Sequence, residues 1–155
     1  MFRITGLQAL CGLLLWIVPV SMTWAEEIGC GLATIPPDQI KRGCGCGYHL
    51  KTEDGLRTFL QSGVNGEDPR FFVDGELLPL EPAPENASND YAAQGDRFTE
   101  VFSRDQVRLQ FNNTVTSTCR LGEPGCNAIN FSSDLSIEAG ACSVEVSGVV
   151  GDCGC

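Results

Sequence analysis

Two Cys-Gly-Cys triplets, Cys44-Gly45-Cys46 and Cys153-Gly154-Cys155, hold the side chains with the most chemistry in this chain. Sulfurs so spaced can form disulfides, bind a thiophilic metal as thiolates, or cycle between thiol and disulfide. As thiolates, Cys44, Cys46, Cys153 and Cys155 would suit Zn(II) or Cu(I), both soft enough to prefer sulfur. Each triplet separates its cysteines by one residue, however, where zinc sites space theirs by two to four. A copper site would also want His or Met, and beyond residue 25 the chain offers one His, His49, and no Met. A redox couple needs a thiol acidified by a helix N-terminus or a cation, and no βαβ pattern surrounds either triplet. No cofactor is expected, and structural disulfides are the favoured reading.

The start of the chain supports that reading. Met1-Phe2-Arg3, the apolar run Leu7–Val20 and the small-residue stretch ending at Ala25 follow the order of a secretory signal, cleaved after Ala25. The run is shorter than the roughly 20 residues that cross a bilayer core as a helix. Gly29-Cys30 is a poor lipidation site, because Glu26 and Glu27 stand between it and the apolar run. Cleavage leaves residues 26–155, one domain of 130 residues (155 less 25), in a secreted or periplasmic location. Twenty acidic against ten basic residues give a net charge of −10, and loss of Arg3 takes the exported part to −11. That sign disfavours nucleic acid and anionic lipid, and favours a basic protein if there is a partner.

Cys11 leaves with the signal, so Cys30, Cys44, Cys46, Cys119, Cys126, Cys142, Cys153 and Cys155 remain as disulfide candidates. An even set in an exported chain is a disulfide framework. Cys119 and Cys126 flank a segment with two glycines and a proline, a turn whose ends could be bridged. If each triplet lies on a strand, period two puts its cysteines on one face. Antiparallel neighbours would then pair Cys44 with Cys155 and Cys46 with Cys153, as two rungs of one ladder. The competing local scheme joins Cys30 to Cys44 or Cys46.

The remaining sequence predicts the elements that hold these cysteines. Val107, Leu109 and Phe111 alternate with polar residues, as do Leu135 and Ile137, and Cys142, Val144 and Val146, which this pattern turns inward. Residues 114–119 are rich in β-branched side chains. Arg70–Leu80 reads as a hairpin turning at Asp74-Gly75, with Pro79 pushing its second arm toward an edge. Arg97–Phe111 reads as another, through residues 103–105. Turn signals every 8–12 residues point to an all-β fold, a small antiparallel sandwich or barrel of about seven or eight strands. Thr52–Ser62 could form one short helix capped at Thr52, although Phe59 and Leu60 would suit a strand too, and Glu81–Asp96 is expected to be a mobile acidic loop.

The search for chemistry beyond sulfur finds little. His49 is read as a solvent-facing or packing residue, since no Gly-x-Ser-x-Gly elbow or second His accompanies it. Asn65–Asp68 and Asn89-Asp90 lack the alternating carboxylates of a calcium loop, and no two acids stand out as a glycosidase pair. Asn86, Asn112 and Asn130 head Asn-x-Ser/Thr sequons, which matter only where the secretory pathway glycosylates. At the level of fold, the chain is similar to small periplasmic lysozyme inhibitors, compact β-barrels that meet a basic enzyme, although no segment stands out as an inhibitory loop. The expected function is therefore an exported, non-enzymatic, disulfide-stabilised β module acting by binding or structure. The alternatives are a Zn or Cu protein and a periplasmic inhibitor of a basic enzyme.

Overall fold

The computed structural model describes residues 27–63, 66–83, 93–119 and 129–154. Period-two alternation becomes strand wherever the sequence carries it, and every strand pairing is antiparallel. In chain order the strands are β1 (Glu27–Gly29), β2 (Leu32–Ala33), β3 (Gly45–Thr52), β4 (Gly55–Ser62), β5 (Arg70–Val73) and β6 (Glu76–Pro79). They continue with β7 (Glu81–Pro82), β8 (Arg97–Arg104), β9 (Val107–Thr118), β10 (Ile129–Ala139) and β11 (Cys142–Gly154). One 3-10 turn, Pro37–Gln39, joins β2 to β3.

The pairings close on themselves. From β3 onward each strand pairs with its successor, except that β6 runs on into β7 without pairing with it, and β11 returns to pair with β3. The segment that completes the circle is β6–Leu80–β7. Its first half pairs with β5 and its second half with β8, so one stretch of chain serves both neighbours. Pro79 and Pro82 lack amide hydrogens, which suits a strand that changes partner midway. Arg104 reinforces the crossing by donating to the Pro79 carbonyl at 3.0 Å. Counting β6 and β7 as one, eight strands form an up-and-down barrel, with the β1–β2 hairpin added beside β5.

Packing across the barrel requires that curl. The rings of Tyr48 on β3 and Phe111 on β9 have centroids 3.9 Å apart, although β11 and β10 lie between their strands. A flat sheet would separate them by roughly 14 Å, three strand spacings. Tyr48, Phe59, Phe71, Phe102, Phe111 and Phe131 are all at most 2% exposed and fill the interior with Leu60, Leu109, Leu135 and Ile137. Gly151 makes room for one of these rings. A Cβ there would sit 1.9 Å from Phe131, so the glycine is a steric requirement of the core.

Bulges set which side chains turn inward. In the β3–β4 ladder Tyr48 pairs with Leu60 and His49 with Thr58, leaving Phe59 as an extra residue. Phe59 and Leu60 are consequently both buried, although adjacent. In β11 the register slips between Val146 and Val149, around Gly148 at φ 78°. The slip changes the inward parity from Val144 and Val146 to Val149, Gly151 and Cys153. Cys142, by contrast with the expected inward set, is exposed.

Two disulfides lock this arrangement. Cys46 and Cys153 stand directly opposite on β3 and β11, with Cα atoms 4.0 Å apart, and bridge the first and last strands of the barrel. Cys30, on the β1–β2 turn, is bonded to Cys142 and not to Cys44 or Cys46. The hairpin explains the choice. Gly29 packs against Val144, and the Asp74 amide donates to the Gly31 carbonyl, which folds β1–β2 over the end of the barrel where β11 begins. Cys44 and Cys119 are also disulfide-bonded, while Cys126 and Cys155 lie outside the described residues.

Two further segments take definite form. Of the two readings of Thr52–Ser62 the strand holds: a turn leads into β4, with the Thr52 hydroxyl donating to the Gly55 carbonyl and Phe59 and Leu60 packed in the sheet. The Glu81–Asp96 segment begins as β7, and the Ala83 amide continues the pairing by donating to the Val101 carbonyl. Residues 84–92 lie outside the described residues.

Only 16 positions separate Cys30 from Cys46, and 11 separate Cys142 from Cys153. With Cys30–Cys142 in place, the seam bond closes a ring of roughly 27 residues, worth about 3.5 kcal/mol by chain entropy. Replacing Cys44, Cys46, Cys153 and Cys155 together by Ser should lower unfolding free energy by at least that amount in urea titrations. A loss under about 1 kcal/mol would show that the β3–β11 ladder closes the barrel unaided.

Candidate functional site

An eight-stranded barrel is just wide enough for its own side chains or for one small ligand. Here the side chains take the space, and they enclose one polar cluster. Tyr48 reaches across from β3 and donates its hydroxyl hydrogen to Glu100 on β8, the strand diametrically opposite. Asn113 on β9 donates to the Tyr48 oxygen at 2.8 Å and more weakly to Glu100 at 3.4 Å. Beside it the Asn113 Oδ1 and the Ser133 Oγ, on paired residues, are buried without hydrogen-bond partners among the described residues. Burial pushes the Glu100 carboxyl above its ordinary value, against the smaller downward pull of the Tyr48 bond. The cluster is an internal strut. Its signal in the sequence is positional: Glu100 lies between Phe98 and Phe102 on the inward parity, and Asn113 between Phe111 and Val115.

The second polar convergence lies outside the barrel, over the seam. Period two turns Cys46 and Tyr48 inward, so Gly45, Gly47 and His49 face outward from β3. On β11, Asp152 pairs with Gly47 and therefore shares that face. His49 Nε2 lies 2.7 Å from Asp152 Oδ1, and Nδ1 lies 2.9 Å from the Thr58 hydroxyl on β4. The carboxylate only accepts, so Nε2 carries a proton, and in the neutral ring Nδ1 accepts from Thr58. The imidazole thus ties three adjacent strands together. It is 17% exposed, against 51% for Asp152. His49 is outward-facing, as one of its two readings had it, but it is also tied to two neighbouring strands, and the lack of a second histidine hid those partners.

Glycines make this surface concave. A Cβ at Gly47 would lie 2.8 Å from His49 Nε2, and one at Gly45 would lie 2.2 Å from the Ser62 carbonyl. Opposite Gly45, Gly154 adds a second position without a side chain. The strap 40–44 passes beside this bare floor. Gln61 holds it by accepting from the Lys41 amide at 2.9 Å and donating to the Lys41 carbonyl at 2.5 Å. A cleft of about 370 Å³ results, lined by the strap, the outward residues of β3, and Arg70 and Asp152. The Cys-Gly-Cys motif is therefore two-faced: the Cys46 and Cys153 sulfurs join on the inner side and the glycines floor a cleft on the outer side.

Of the cysteines offered above as metal ligands, the three described ones are not presented to the cleft as thiolates. Cys46 and Cys153 are joined, Cys44 is oxidised, and Cys155 lies outside the described residues. Among the described residues no group of three or more His, Cys, Asp or Glu could hold a metal ion. Of the sequons, Asn112 and Asn130 sit exposed on the outer faces of β9 and β10, where Asn112 accepts from Thr99 and Asn130 donates to Ser117. Asn86 lies outside the described residues. No helix among the described residues is long and apolar enough to cross a membrane.

No protein-family model, no curated protein and no solved structure matches the chain. The site therefore has to be read from its own geometry.

The strut makes a pH-dependent contribution whose sign follows from burial. A raised carboxyl keeps its proton in the fold at pH values where the unfolded chain, at about 4.5, has lost it. Stability is lost as pH rises from there through the folded value. Glu100→Gln keeps an acceptor for Tyr48 and removes the titration. Its unfolding free energy should gain on the wild type steadily from pH 4.5 upward, as read by urea midpoints at a series of pH values. Parallel curves would refute the assignment.

Proposed function

We propose that the chain is an exported, non-enzymatic binding module that meets its ligand on the outside of a filled barrel, at the seam cleft. The observation that carries this reading is the division of space. Aromatic rings occupy the interior, the β1–β2 hairpin covers one end, and a concave surface that gathers several polar side chains lies over the β3–β11 pairing. Pockets with a few converging polar groups are where ligands bind. Disulfides, an export signal and a net charge of −10 suit a stable protein working outside the cytoplasm.

A hydrolase is the competing reading, since Thr58, His49 and Asp152 line up as hydroxyl, imidazole and carboxylate. Geometry weighs against it. Thr58 is held within β4, and β3 is paired on both sides, so its amides serve the ladders and do not converge as an oxyanion hole. Removing the hydroxyl separates the two ideas. Thr58→Val should leave ligand binding within about threefold of wild type, and neither protein should hydrolyse activated esters above background. Turnover by the wild type that Thr58→Val abolishes would overturn the binding reading. Amide shift mapping with a fragment library completes the test: perturbed residues should cluster at 41–49 and 152–154. A cluster at Tyr48, Phe111 and Phe131 with the strap unmoved would mean that the interior is the site.

A further inference from the structure

We infer that the seam cleft binds a small organic oxyanion, a compound whose carboxylate, sulfate or phosphate oxygens face Lys41, Arg42 and Arg70. This rests on the cleft being the binding site, and adds the chemical class of its ligand. The chain has ten Lys and Arg residues against twenty acids, yet three of the ten line this one cleft. None of the three has a carboxylate partner among the described residues, where Arg57 and Arg104 are the arginines in ion pairs. In an acidic protein, three cations gathered at one cleft and none of them in an ion pair leave its lining with an excess of positive charge.

The cleft's own acids offset only part of that charge. Asp152, hydrogen-bonded to His49 at 2.7 Å, and Asp68, exposed and in no ion pair among the described residues, set two carboxylates against three cations. The cations are also held in place. Gln61 grips the backbone of Lys41 in both directions, and its Oε1 lies 3.4 Å from the Arg70 guanidinium, so one amide links strap to floor. Arg70 is half-buried, which lowers the screening of its charge. Guanidinium groups match the paired oxygens of an oxyanion as a fork, and the bare backbone at Gly45 and Gly47 lets a ligand approach closely. A space of about 370 Å³ admits a compound of monosaccharide size.

The test uses the oxidised full-length exported protein and four probes followed by amide shift titration: inorganic sulfate, inorganic phosphate, galacturonate and galactose. Galacturonate and galactose differ by one carboxylate. The strap amides at 41–45 and those of His49 and Arg70 should saturate with the oxyanions. Galacturonate should bind at least tenfold more tightly than galactose. The double variant Lys41→Gln, Arg42→Gln should weaken the oxyanions at least tenfold with an unchanged thermal midpoint, because both side chains are exposed. A preference for sulfate or phosphate over galacturonate would assign the headgroup to an ester of those acids, and the reverse order to a carboxylate. Equal binding of galactose and galacturonate at the cleft would overturn the oxyanion and leave the binding module standing. Shifts of equal size around Arg57 and Arg104 would reduce the effect to general screening and overturn it too. Silence of the cleft toward all probes, and toward the fragment library, would remove both readings.

Discussion

Everything in this barrel depends on one long-range closure, the pairing of β3 with β11. Around the barrel the other ladders join successive stretches of chain, and outside it only the two-residue β2–β5 pairing skips strands, across about 40 residues. The seam joins Gly45–Leu50 to Val149–Gly154, about a hundred residues away, and its entropic cost is the largest of any pairing in the fold. Cross-links are placed where that cost falls. Cys46–Cys153 spans the seam itself, and Cys30–Cys142 ties the start of the domain to the start of β11. Inside, Tyr48 leaves the same strand to reach Glu100 on the far wall, so the seam is braced across the core as well.

The same closure makes the surface site. Inward cysteines and outward glycines alternate because a strand has two faces, and the sulfur bond can form only where β3 and β11 are in register. That register sets Asp152 beside Gly47 and within reach of His49. The histidine then engages Thr58 on β4, so the outer polar line and the inner disulfide are two sides of one alignment. Under the proposed reading, occupancy of the cleft would be coupled to stability of the barrel, since strap 40–44 leads directly into β3.

Much of this was legible in the residues. The all-β class and the antiparallel ladder follow from alternation at Val107–Phe111 and Cys142–Val146, and the pairing of Cys46 with Cys153 follows from period two. Even the His49–Asp152 contact was implicit. Once Cys46 faces Cys153, Gly47 must face Asp152, and His49 is two residues along on the same side. What hid the rest was local. The bulge at Phe59 buries two adjacent side chains, and without it Thr52–Ser62 resembles a helix with a capped start. The slip at Gly148 inverts the parity of β11, so an inward pattern read at Val144 does not extend to Cys153. The shared strand at Glu76–Pro82 looked like a hairpin arm followed by a loop, because two partners divide a stretch too short to show alternation with either. Cys30 could not be placed from spacing, since its partner is chosen by how the β1–β2 hairpin folds over the barrel end.

Native-state hydrogen exchange of the oxidised protein tests the closure most directly. If the seam is the constraint on which the barrel rests, its amides at 46–50 and 149–153 open only when the whole domain unfolds. Their exchange free energies should then equal those of the β9–β10 ladder, and all should fall together as denaturant is added. Seam amides that exchange through an independent opening, while β9–β10 keeps its full protection, would contradict the account.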